Sequence, residues 1–160
     1  MGVYFDYFRA ADDDSASATH ELAGGPSGTR APGEGLLDSF ETKSVFPDPH
    51  VEQLVALARG VPYERGPRAS EGLWPPPTTP APVDETSPWL TDPSVERLAT
   101  RLRDALADIE PDSAAELGER WAAELGDRSA EEAAEVVIGL AGLARRARGA
   151  DQELYCWSSL

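Results

Sequence analysis

The sequence predicts an α+β fold: a small sheet that pairs the N- and C-terminal strands, covered on one side by about four helices, with a long proline-rich loop. Three observations lead there. Val3 to Phe8 and Glu153 to Trp157 are aromatic, apolar runs at opposite ends of the chain; neither can be left in water, so they should meet in one sheet. The second half carries three successive helix patterns, each with its own start signal. Between Pro62 and Pro88 stand eight prolines, which remove backbone donors and fix φ, so that stretch reads as an extended, polyproline-like excursion.

The strongest element is the last helix. Ser129-Ala130-Glu131-Glu132 places a hydroxyl three residues before a carboxylate, so each can satisfy a backbone N–H left open by the first turn. Ala133, Val136, Val137, Leu140, Leu143, Ala144 and Ala147 then follow the i, i+3, i+4, i+7 rhythm of a buried face. Arg145, Arg146 and Arg148 suit the negative end of the helix dipole, and Gly149 is expected to turn left-handed and end it. Leu154-Tyr155-Cys156-Trp157 follows with apolar groups on both faces, so this strand should lie inside the sheet.

In chain order, the opening strand is followed by Asp12-Asp13-Asp14-Ser15, with Ala16, Ala18 and Leu22 behind it, a short helix with acids at its positive end. Gly24 to Gly35 is a Gly, Pro and Ser loop. Phe40 to Phe46 has strand composition, and Asp48-Pro49 couples a capping carboxylate with a first-turn proline ahead of Val51, Leu54, Val55 and Ala58. That helix stops at Gly60. After the proline-rich stretch, Asp92-Pro93 repeats the start signal, and Val95, Leu98, Leu102, Ala105, Leu106 and Ile109 predict a helix of about four turns. Ser113 to Glu116 is a second capping box, with Leu117, Trp121 and Leu125 on the helix behind it.

The 160 residues suit a single domain, 1–160. A net charge of −15 argues against binding nucleic acid or an anionic membrane, since phosphate contacts need clustered cations, and it favours a basic protein partner. The lone Cys156 cannot form an intrachain disulfide. The start of the chain has no cationic signal region, and no window approaches the roughly 18 apolar residues of a membrane span. Asp6 stands where a myristoylation signal needs Ser or Thr, and four residues follow Cys156 where a prenylation box has three. A cytoplasmic protein is the expectation.

No catalytic, cofactor or metal constellation emerges. His20 and His50 lack partner ligands at helical spacing, there is no nucleophile elbow or phosphate loop, and Asp12 to Asp14 opens no calcium-loop pattern. Cys156 between Tyr155 and Trp157 reads as a buried structural thiol. Carboxylates could pair for acid–base work, but sequence alone selects no pair among 29 acids. Trp74, Trp89, Asp12, Asp13 and Asp14 are the candidate partner contacts.

Gly2-Val3-Tyr4-Phe5-Asp6-Tyr7-Phe8, a helix ending Leu57-Ala58-Arg59-Gly60, a long helix from Val95, the pair Arg120-Trp121, and Leu154-Tyr155-Cys156-Trp157 together resemble the YfbM-like family of small bacterial proteins, in particular an actinobacterial set. The resemblance implies a compact α+β domain and no established activity. The Trp-His pair of that family is missing: His50 alone stands in the corresponding helix, at its other end.

The leading expectation is a non-enzymatic binding protein whose acidic surface holds a basic partner, such as an immunity or inhibitor protein. The alternative is a small-molecule-binding protein or enzyme with a carboxylate and aromatic pocket between sheet and helices. A third expectation makes the Pro62 to Pro88 loop the contact element of a scaffold.

Overall fold

A computed structural model of the protein describes residues 3–28, 37–78, 84–87, 90 and 93–159. Five antiparallel strands, β1 (Tyr4–Ala10), β2 (Ser39–Lys43), β3 (Ser70–Trp74), β4 (Ser94–Leu98) and β5 (Glu153–Ser159), form one sheet in the order β2-β1-β5-β4-β3. The helices are α1 (Asp13–Ser17), α2 (Glu52–Arg59), α3 (Thr100–Ala107), α4 (Ala114–Leu125) and α5 (Ala130–Gly149). The terminal strands pair as expected, from Tyr4 opposite Ser159 to Ala10 opposite Glu153. With β1 on one side and β4 on the other, β5 is central, which is why it is apolar on both faces.

One helix pattern hid a strand. Val95 and Leu98 belong to β4, and the helix begins only at Thr100. Their spacing of three fits one helix face, but it equally puts the two side chains on opposite faces of a strand. Val95 lies opposite Trp157, while Leu98 joins the core beneath the helices. The proline-rich stretch is likewise not all loop. Seven residues without proline separate Pro67 from Pro75, enough for edge strand β3, so that stretch cannot be removed without taking a strand.

The caps divide. Ser129 and Glu132 form the expected reciprocal box: Ser129 N donates to Glu132 Oε2 at 2.9 Å, and Glu132 N donates to Ser129 Oγ at 3.2 Å. Gly60, at φ 66°, ends α2 as expected. Asp48 does not cap; its backbone is extended, and Oδ1 accepts from the Tyr63 hydroxyl at 3.3 Å while the turn Pro47–Val51 leads into α2. Ser113 is already helical without a side-chain cap, because a turn from Pro111 starts the helix earlier. At the end of α5 the left-handed residue is Asp151, at φ 54°, and Gly149 stays in the helix. Asp92 and the second half of the Gly24 to Gly35 loop lie outside the described residues.

Helices α2 to α5 cover one face of the sheet over a core that includes Tyr7, Leu102, Leu106, Trp121, Leu140 and Leu154, none of them with measurable exposure. Each such aliphatic side chain contributes about 1.5–3 kcal/mol by leaving water. The other face is not bare, as a one-sided layer would have it. Phe8, Ala10, Val95, Tyr155 and Trp157 form a second, smaller core there, closed by Ala16 of α1 with Leu73 and Trp74 of β3 beside it.

Candidate functional site

Residues opposite one another in an antiparallel register share a face. On the face beneath the helices, Phe5, Ser158 and Ser94 form one cross-strand row, and Tyr7, Cys156, Glu96 and Gly72 form the next. The helices seal Tyr7 and Cys156, while Ser94, Glu96 and Ser158 remain half-buried. The gap is a cleft of about 610 Å³ over the β3–β4 end of the sheet. Its floor is polar, from Glu96 and the hydroxyls of Ser70, Ser94 and Ser158; its apolar wall includes Phe5 and Phe46, whose rings meet edge-on at 4.6 Å. Leu90, 58 % exposed, also borders it.

Glu96 is the chemical centre of this cleft. Its Oε2 accepts from Ser70 Oγ at 3.2 Å, and no ion pair reaches it among the described residues. Burial pushes its carboxyl above the ordinary range, against a smaller opposing pull from the Ser70 bond. Opposite it, Gly72 carries no side chain, and a Cβ there would meet nothing within 4 Å. Ser94 and Ser158 hold each other, Oγ to Oγ, at 2.6 Å.

The rest of the row is inert. Burial pushes the Cys156 thiol well up, and the Glu96 charge adds to this, so a thiolate is disfavoured. Tyr7 is raised by burial too, and its hydroxyl is committed to the Val45 carbonyl at 2.8 Å. A neutral phenol and a neutral thiol beside one carboxyl are suited to shaping a pocket rather than to nucleophilic attack. Among the described residues no group of His, Cys, Asp and Glu is arranged to hold a metal ion. His50 Nδ1 accepts from Phe46 N at 3.2 Å and so closes the turn ahead of α2; burial first, then Arg128, holds its pKa below the ordinary value.

The candidate contacts read from sequence fall elsewhere. Asp12 caps α1 by accepting from Ser15 N at 2.8 Å. Asp13 is engaged twice, by Arg97 Nη1 at 2.6 Å and the Tyr155 hydroxyl at 3.0 Å, so it pins α1 to the sheet. Asp14 is exposed, and its carboxylate has no partner among the described residues. Trp74 stacks on His20 with ring centroids 3.7 Å apart, half-buried beside the second core. Trp89 lies outside the described residues. Glu96 went unnoticed because a helix through Val95 would have left it on a solvated surface; the signal available was that a strand apolar on both faces needs two neighbours.

The acidic charge is concentrated on the hairpin of α4 and α5. From residue 110 to 135 there are nine acids (Glu110, Asp112, Glu116, Glu119, Glu124, Asp127, Glu131, Glu132 and Glu135) against Arg120 and Arg128, a net −7 in a chain of −15. All nine acids are exposed. No helix among the described residues is long and apolar enough to cross a membrane. No known protein family, curated protein or solved structure matches the chain. The resemblance to the YfbM-like family therefore rests on the quoted residues alone.

Proposed function

We propose that this chain is a non-enzymatic binding protein whose α4–α5 hairpin presents an acidic surface to a basic protein partner, in the manner of an immunity or inhibitor protein. The observation that carries this reading is the placement of net −7 on one exposed helical hairpin. Charge of one sign on a continuous surface accelerates encounter with an oppositely charged partner and repels wrong ones, and salt weakens both effects. The same charge disfavours nucleic acid and anionic membranes. A cytoplasmic location belongs to this reading, as does a buried Cys156 that stays reduced.

The test is capture of partners on the immobilised protein at low and high salt, with a variant carrying Glu116→Lys, Glu119→Lys and Glu124→Lys in parallel. A basic protein held at low salt, released at high salt and lost by the variant supports the hairpin as the contact. Equal capture by both proteins at both salt concentrations rules it out.

A second reading is favoured by one specific observation: Glu96 sits half-buried on the floor of an open cleft, with no cation beside it among the described residues. Under it the cleft between sheet and helices takes a small-molecule ligand. Converging polar groups over an apolar wall are what such sites share.

A further inference from the structure

We propose that the cleft over β3 and β4 binds a small molecule carrying a primary ammonium, with the ammonium on Glu96 beside the Ser70 and Ser94 hydroxyls and the apolar body against Phe5 and Phe46. This rests on the second reading above, that the cleft takes a ligand, and adds the chemistry of that ligand.

A carboxylate on the floor of a cleft is stable when cations or donors surround it. Among the described residues Glu96 has a single hydroxyl donor, Ser70. Its two neighbours in the cross-strand row supply no further donor, since Gly72 has no side chain and the Cys156 thiol donates to the Trp157 carbonyl at 3.9 Å. An ammonium brings three donors and no acceptor, which matches one carboxylate with hydroxyl oxygens alongside. Burial without a cation raises the Glu96 carboxyl, and a bound ammonium would reverse that shift.

The surroundings select the sign of the ligand. Asp48 also lines the cleft, so an anion would meet two carboxylates, and the whole-chain charge of −15 concentrates cations in concave, low-dielectric sites. Arg68 is the opposing group. It is exposed and makes no ion pair among the described residues, so it remains open to an acidic end of the same ligand. The edge-on rings of Phe5 and Phe46 offer an apolar wall to the body of the molecule.

The test is an NMR titration of the intact protein with three probes of one shape: phenethylamine, 2-phenylethanol and 3-phenylpropionate. The expected result is that the amine binds at least about tenfold more tightly than the alcohol or the acid, the scale of one charge-assisted hydrogen bond. Its shifts should centre on the amides of Gly72, Ser94 and Glu96. Glu96→Gln should remove the preference for the amine over the alcohol, and Gly72→Leu should weaken both by filling the space. Amine and alcohol binding equally, with shifts in the cleft, overturns the ammonium assignment but leaves a ligand cleft. Shifts confined to the residue 110–135 hairpin overturn the assignment by showing surface ion pairing only. No response in the cleft to any probe overturns both the assignment and the reading it rests on. The wild-type shift map separates these outcomes even if a variant fails to fold.

Discussion

The Tyr155 hydroxyl donates to Asp13 Oδ1 at 3.0 Å and thereby ties the short helix α1 to the central strand across 142 positions of sequence. Arg97 of β4 holds the other oxygen of the same carboxylate, and its second arm reaches Glu71 of β3. Asp13 and Arg97 together thus join three strands to a helix that is too short to be stable by itself.

Tyr155→Phe should lower stability by about 1 kcal/mol, the usual net worth of one such hydrogen bond. The loss should be concentrated at α1, because Arg97 still holds Asp13. Hydrogen exchange checks it: faster exchange at residues 13–21 with β5 protection retained is the expected result, and a uniform change throughout the chain would contradict it.

Gly118 packs against the backbone of α5 so closely that a Cβ would lie 2.6 Å from Ala134 N and 2.7 Å from its Cα. Alanine is better than glycine in a free helix by about 1 kcal/mol. Here backbone meets backbone, so Gly118→Ala should instead destabilise by about 1–3 kcal/mol, the range for overpacking. Urea denaturation decides the sign.

Cys156 is 2 % exposed, and burial disfavours its thiolate. A thiol reagent should therefore label the native protein only at the rate of unfolding, and label it fully past the denaturation midpoint. Fast labelling of native protein would show the β5 row to be open.

Asp38 accepts from Arg146 at 2.7 and 3.0 Å and from Arg9 at 2.8 Å, with Arg146 the larger influence in holding its carboxyl below the ordinary 3.8. A depressed acid stabilises above its unfolded pKa and loses that contribution as pH falls through the folded one. Asp38→Asn should thus cost on the order of 1 kcal/mol at neutral pH, limited by partial exposure, and the gap to wild type should close below pH 3.8. An undiminished gap in acid would assign the effect to shape alone.

Glu96 runs the opposite way. Its carboxyl is raised, so its stabilising share is complete below the ordinary 4.5 and is lost as pH climbs through the folded value. Glu96→Gln should gain on wild type as the pH climbs above 4.5, as measured by denaturation in acid and at neutral pH. A constant difference would mean that the carboxyl bears no desolvation cost in the cleft.

Much of the frame was legible in residues close together in sequence. The box of Ser129 and Glu132, the left-handed stop at Gly60 and the apolar strand at Leu154 to Trp157 each state their structure locally, because the groups they satisfy are within a turn or on one strand. The start at Asp48 failed for a reason that was not local: its carboxylate went to Tyr63, fifteen residues on. The site was less legible still. Of the expected contacts, Asp12 and Asp13 were taken up by the cap of α1 and its attachment to the sheet, and Trp74 by stacking on His20.

By itself the sequence determined an α+β chain, its strongly acidic charge, the pairing of its two ends and the long final helix, since composition and periodicity act through neighbours along the chain. Only the tertiary structure decided that Val95 to Leu98 would be a strand and that Gly72, Glu96, Cys156 and Tyr7 would form one row. Strand register depends on partners far apart in sequence, and a spacing of three serves a helix face or two faces of a strand alike. The central strand, apolar on both sides, needed a second neighbour, and satisfying it placed a carboxyl on the floor of a cleft.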